Sequence, residues 1–144
     1  MKRLVVCCDG TWNQWTSKHP TNVVRVTQAV ALTAPGNAAG QGTPQIVFYD
    51  EGVGTGGGLI DRVRGGAFGY GLDWNVEDAY RFLVNNYEQG DEIYLFGFSR
   101  GAYTARSTAG VIRKCGLLKK QNGAKIGDAL ALYRRRDSSP DLEE

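Results

Sequence analysis

Two kinds of apolar pattern alternate along the chain. "RLVVCC", residues 3 to 8, is a continuous apolar run rich in β-branched side chains, and "DGTWN" ends it with turn chemistry, so the pattern predicts a strand buried on both faces. "TNVVRVTQAVAL" follows with Val23, Val26 and Val30 on one stripe and Thr21 or Asn22 as cap, which predicts a helix of about three turns. "TAPGNAAGQGTP" reads as a loop, and "QIVFYD" as a second strand. Residues 52 to 71 are glycine-rich and without sustained period; they predict a long surface loop with one helical turn near Ile60 to Val63.

Helical spacing returns in "LDWNVEDAYRFLVNNY". There Leu72, Val76, Ala79, Tyr80, Leu83 and Tyr87 recur every three or four residues, with Asp73, Glu77 and Asp78 suited to the first turns. "GDEIYLFGF" is the third strand. Residues 100 to 114 form the next helix, with Ala102, Ala105, Ala109 and Ile112 expected on its inner face, and "IGDALALYRRR" a last amphipathic helix before a polar tail that runs from Asp137 to Glu144. Strands alternating with helices predict one α/β domain: three layers, a short parallel sheet in strand order 2-1-3, and helices on both faces.

Composition narrows the reading. A 42% hydrophobic content over 144 residues supports a real core, and a net charge of +2 gives no reason to expect nucleic acid as a partner. The apolar run after "MKR" is too short for a signal peptide or a membrane span, which predicts a protein made in the cytosol without a transmembrane segment. Cys7 and Cys8 are strand neighbours facing opposite ways and Cys115 stands alone, so neither a disulfide framework nor zinc-ligand spacing is expected. No metal and no cofactor are predicted.

The chemistry concentrates in "DEIYLFGFSRGAYTAR". Ser99 stands between Gly97 and Gly101 where a strand hands over to a helix, and a bend that tight forces its middle residue into an unfavourable backbone region. A Cβ two positions before or after would clash, which explains both glycines sterically. The bend lifts the Ser99 hydroxyl above the carboxyl edge of the sheet and aims the N–H of Arg100 at the spot where an oxyanion would form. The competing reading is a serine that merely caps a helix.

"CCDGTWN", "TNVVRV", "YDEGVGTGGG" and the block from "GAFGYGLDWNVEDAYRF" through "GFSRGAYTARSTAGVIRKCGLL" together resemble the N-terminal part of an uncharacterised α/β-hydrolase family that includes the catalytic domain of type VI secretion phospholipase effectors. The resemblance runs from residue 4 to about residue 136. It implies a serine hydrolase acting on lipid or other ester substrates, a Ser, Asp, His triad in that order, Ser99 as nucleophile, and Asp9 to Thr11 beside it. Gly10 or Thr11 then supplies the second oxyanion N–H next to that of Arg100, with Asp9 in support. It also implies delivery as a secreted effector.

A serine needs a base. The sequence holds one histidine, His19, which precedes the serine, whereas the family's order places the base well after it. His19 is retained as a minor candidate through the shared sheet edge. After Ser99 the acids are Asp128, Asp137, Asp141, Glu143 and Glu144, none at the end of a recognisable strand. Residues 1 to 144 are therefore expected to be the N-terminal portion of a catalytic domain, completed by a further chain or a missing C-terminal segment.

Other candidates weigh less. "GVGTGG" satisfies G-x-G-x-x-G, with Asp73 about twenty residues on, but lacks a helix starting in the motif and follows the second strand. No Lys-Ser or Lys-Thr follows, which excludes a P-loop. Asp9 reads as the Asp-Gly turn residue, with an acid or metal ligand as alternatives. Arg100 and Arg106 could hold a phosphate head group, and Trp12, Trp15 and Trp74 could rim a lipid entrance. The alternative function is a non-catalytic flavodoxin-like module binding a nucleotide or a partner chain.

Overall fold

The computed structural model describes residues 1–10, 15–16, 18–36, 42–52 and 70–135, with the side chains of 70–73 outside that description. Thr11, Trp12, the turn near Ile60 to Val63, the side chains of Leu72 and Asp73, and the tail with Asp137, Asp141, Glu143 and Glu144 lie outside it; so does most of "GVGTGG".

The continuous apolar run forms β1 (Arg3–Cys8), with every residue from Leu4 onward buried. It is central: β1 pairs in parallel with β3 (Thr43–Asp50) on one side and β4 (Glu92–Gly97) on the other. Cys8 stands opposite both Asp50 and Gly97, so the three carboxyl ends are level.

The expected three-stranded order 2-1-3 requires correction. Thr33–Ala34 forms a two-residue strand, β2, antiparallel to β3, and the sheet is mixed, four-stranded and ordered β2-β3-β1-β4. The same contact shortens the first helix. The Gln45 N–H donates to Leu32 O at 2.8 Å, and Gln45 Nε2 to Ala31 O at 2.8 Å. These bonds hold the chain extended beyond α1 (Asn22–Ala29), so Val30 becomes the extended C-cap instead of continuing the stripe. Thr21 is the N-cap, its Oγ1 accepting from Val24 N.

The long helix α2 (Tyr70–Asn86) buries Val76, Ala79, Tyr80, Leu83 and Val84. Ala79 and Leu83 pack against Leu4, Val6 and Cys8 on one face of the sheet, while Val23 of α1 meets Val5 and Cys7 on the other. Helices thus cover both faces, and the two neighbouring thiols do point opposite ways; among the described residues all three cysteines are free. Truncating Leu83, fully buried, to Ala would cost about 2–5 kcal/mol.

The helix after the serine turn, α3 (Arg100–Cys115), turns a different face inward from the one expected. Gly101, Thr104, Ala105, Ser107, Thr108 and Val111 are buried; Ala102 and Ile112 are half-buried and Ala109 is exposed. Threonine is tolerated inside because its hydroxyl can bond the helix itself, as Thr108 Oγ1 does to Thr104 O at 2.9 Å. A 3-10 turn (Lys120–Lys125) leads into α4 (Ile126–Arg134), whose Ile126, Ala129 and Leu130 pack with α2 and α3 instead of the sheet. No helix among the described residues is long and apolar enough to cross a membrane.

Candidate active site

All three parallel strands end at one edge, where Asp9, Gly10, Gly97, Ser99, Arg100 and Gly101 gather. At that edge β4 passes into α3 through Phe98 and Ser99. Phe98 N bonds Cys8 O at 3.1 Å, Gly101 N bonds Phe98 O at 2.9 Å and Ala102 N bonds Ser99 O at 3.0 Å, which closes the bend. Ser99 sits at φ 54°, ψ −121°, the one non-glycine residue with positive φ among the described residues. Such a conformation costs on the order of 1–3 kcal/mol and persists where the surroundings enforce it.

The enforcement is steric. A Cβ on Gly97 would lie 2.4 Å from Gly101 O, and one on Gly101 would lie 2.0 Å from Cys8 O and 2.5 Å from Asp9 O. The first turn of α3 is thus pressed against both the end of its own strand and the end of β1. Ser99 is exposed, and its hydroxyl makes no capping bond. The helix-cap reading therefore has no hydrogen bond to support it. Arg100 is the first residue of α3, so its N–H has no carbonyl one turn back to donate to.

Beside this bend stands Asp9, fully buried. Its Oδ1 accepts from Gly10 N at 2.7 Å; its Oδ2 accepts from Thr21 Oγ1 at 2.5 Å and from the Tyr49 hydroxyl at 3.0 Å. Burial, and then the bond to Asp9, push the Tyr49 phenol well above its ordinary value, so it stays a donor. Burial raises the Cys8 thiol to about 12, and the neighbouring Asp50 adds to the shift. Asp50 is itself pushed upward by burial, partly offset by bonds from Gly52 N and from Asn75 Nδ2 at 2.6 Å.

His19 is exposed in the bend ahead of α1. Among the described residues no group of His, Cys, Asp and Glu could hold a metal ion. Shallow grooves run from the serine bend along α1, lined by Asn22, Val23, Val26, Phe96 and Phe98, with Arg25 at one end. Arg106 opens onto a separate groove with Tyr103 and Tyr133.

Residues 2–144 match the family described as "T6SS, Phospholipase effector Tle1-like, catalytic domain". The chain belongs to that family. It is also 32% identical, over 154 aligned positions, to "Uncharacterized protein YEL023C" of Saccharomyces cerevisiae, an alignment that takes in 96% of this chain and 22% of that protein. The chain thus spans about a fifth of that relative's length. No solved structure matches it.

Within the Tle1-like chain, the residues singled out from the sequence, Ser99, Arg100, Gly10, Gly97, Gly101 and Asp9, stand together at this edge, and Tyr49, not singled out there, joins them through Asp9. Residue 49 lies in "QIVFYD", which reads only as the second strand. The available signal was that a tyrosine near the carboxyl end of an inner strand must find a partner for its hydroxyl.

Proposed function

We propose that this Tle1-like chain is the nucleophile-bearing part of a serine hydrolase of the α/β-hydrolase class, one that cleaves carboxylic ester bonds of phospholipids or other lipids. Ser99 Oγ attacks the ester carbonyl carbon while its proton passes to a base. The tetrahedral oxyanion is held by the N–H of Arg100 and by a second N–H from the Gly10–Thr11 turn. Gly10 N donates to Asp9, which fixes the end of β1 beside the serine, and we assign the second donor to Gly10 or Thr11. Collapse breaks the bond to the leaving alkoxide, which takes the proton from the base and departs as an alcohol. Water, deprotonated by the same base, then releases the carboxylic acid and restores the serine.

The base we assign is an imidazole outside residues 1–144, since the one histidine here, His19, precedes the nucleophile while the triad order places the base after it. Phe96 and Phe98, 38% and 53% exposed along the groove beside the serine, suit an apolar acyl group better than a sugar or a nucleotide. The family match supports a lipid substrate and delivery as an effector.

The observation that carries this reading is the positive φ of an exposed serine wedged between two glycines that have no room for a Cβ. A fluorophosphonate probe applied to the full-length protein tests it. Labelling should map to Ser99 and vanish in Ser99→Ala; a wild-type protein that takes no label, or a Ser99→Ala variant that labels equally, would defeat the proposal.

A further inference from the structure

The Asp9 carboxylate is completely buried, and a carboxylate in that position is tolerated only when donors surround it. The donors come from three separate segments. Gly10 N belongs to the turn leaving β1, Thr21 Oγ1 to the cap of α1, and the Tyr49 hydroxyl to the end of β3. Thr21 Oγ1 also accepts from Val24 N at 3.1 Å, so the start of α1 is coupled to the same carboxylate. Asp9 N donates to Asp50 O at 2.9 Å, which sets the main chain of the turn against the β3 end.

From this convergence the geometry points to Tyr49 as a positioning residue for the hydrolysis: its hydroxyl orients the Asp9 carboxylate, which holds the Gly10 peptide at the end of β1 beside the Ser99 bend. The inference rests on the serine-hydrolase reading above and deepens it by naming what keeps the second oxyanion donor in place. Thr21 ties Oδ2 toward α1 and Tyr49 ties it toward β3, so the Tyr49 hydroxyl is one of the bonds that set the orientation in which Oδ1 meets Gly10 N. The Tyr49 ring is seated independently, edge-on to Trp15 with centroids 5.4 Å apart, so removing the hydroxyl leaves the side chain packed. Donors that bind an oxyanion must be placed to a fraction of an ångström, and displacement of about 1 Å costs on the order of 100-fold in rate.

The test uses the full-length protein, p-nitrophenyl butyrate as substrate, butylboronic acid as a tetrahedral anion mimic, and fluorophosphonate titration to count competent serines. Tyr49→Phe should lower kcat about tenfold with KM within about twofold of wild type, and weaken boronate inhibition by the same factor, while the titratable serine fraction stays unchanged. Unaltered kcat and boronate affinity would overturn the inference. So would a loss matched by a fall in titratable serines, which marks mere misfolding. The two readings fail separately: Ser99→Ala retaining hydrolysis removes the nucleophile assignment and this inference with it. Ser99→Ala inactive beside a fully active Tyr49→Phe removes only the role of Tyr49.

Discussion

The two ends of the parallel sheet are built by opposite means. At the amino end, side chains tie strands together: Lys2 Nζ reaches Asp91 Oδ2 at 2.6 Å and Glu88 Oε2 at 3.1 Å, and Arg3 Nε reaches Glu92 Oε2 at 2.8 Å. Asp91, almost fully enclosed, also takes the amides of Lys2 and Glu88, both at 2.8 Å. At the carboxyl end, side chains are missing where backbones meet, a non-glycine residue is forced to positive φ, and a carboxylate is sealed inside. Ion pairs hold a relaxed end; steric necessity holds a strained one. The difference teaches where stability has been given up for geometry, and strain of that kind gathers where a reacting group must be held in place.

The contrast is broken most severely at Gly101. Ala there drives a Cβ to within 2.0 Å of Cys8 O, and destabilisation of about 3 kcal/mol or outright failure to fold is expected in thermal or urea unfolding. Ser99→Gly sharpens it from the other side. Glycine occupies positive φ without strain, so the variant should be more stable by about 1 kcal/mol in the same assay while losing all fluorophosphonate labelling.

Asp91 at the amino end and half-buried Asp50 at the carboxyl end also predict opposite responses to pH. At Asp91, burial works to raise the pKa, but the Lys2 side chain and the two amides outweigh it and hold it below 3.8. Its contribution is present above that value and fades as pH falls through the depressed folded pKa. Asp91→Asn should therefore flatten the acid limb of a stability curve below about pH 4. At Asp50, burial raises the pKa, so its contribution is complete below the ordinary 3.8 and is lost as pH rises through the folded value. Asp50→Asn should flatten a decline lying above that value, the opposite slope. The smallest effect belongs to the exposed pair Arg3–Glu92: Glu92→Gln should leave the melting midpoint unchanged within error.

Much of this contrast was legible in the sequence, because its parts are local. The run "RLVVCC", the stripe from Val76 to Leu83 and the glycines around Ser99 each announce their conformation within a few residues. The features that escaped depend on partners far along the chain. β2 exists only because β3 offers Thr33 and Ala34 an edge, and no two-residue pattern predicts that. The inner face of α3 was foreseen in part: Ala105 is buried and Ile112 packs on the core as expected, whereas Ala109 is exposed and Thr104 and Thr108, not singled out, are fully buried. Asp9 read as a turn residue since Asp-Gly suffices for that; its burial follows from Thr21 and Tyr49, which lie 12 and 40 positions away.

The glycines at 97 and 101 answer to the fold, for they make space between main chains whether or not any bond is ever cut beside them. A descendant of this protein in which residue 99 had no chemical task would keep both and be free to replace the residue between them, gaining firmness by doing so. Lost chemistry should therefore show first as a substitution at position 99 between two unaltered neighbours, and the surviving pair would record only an old corner of the backbone.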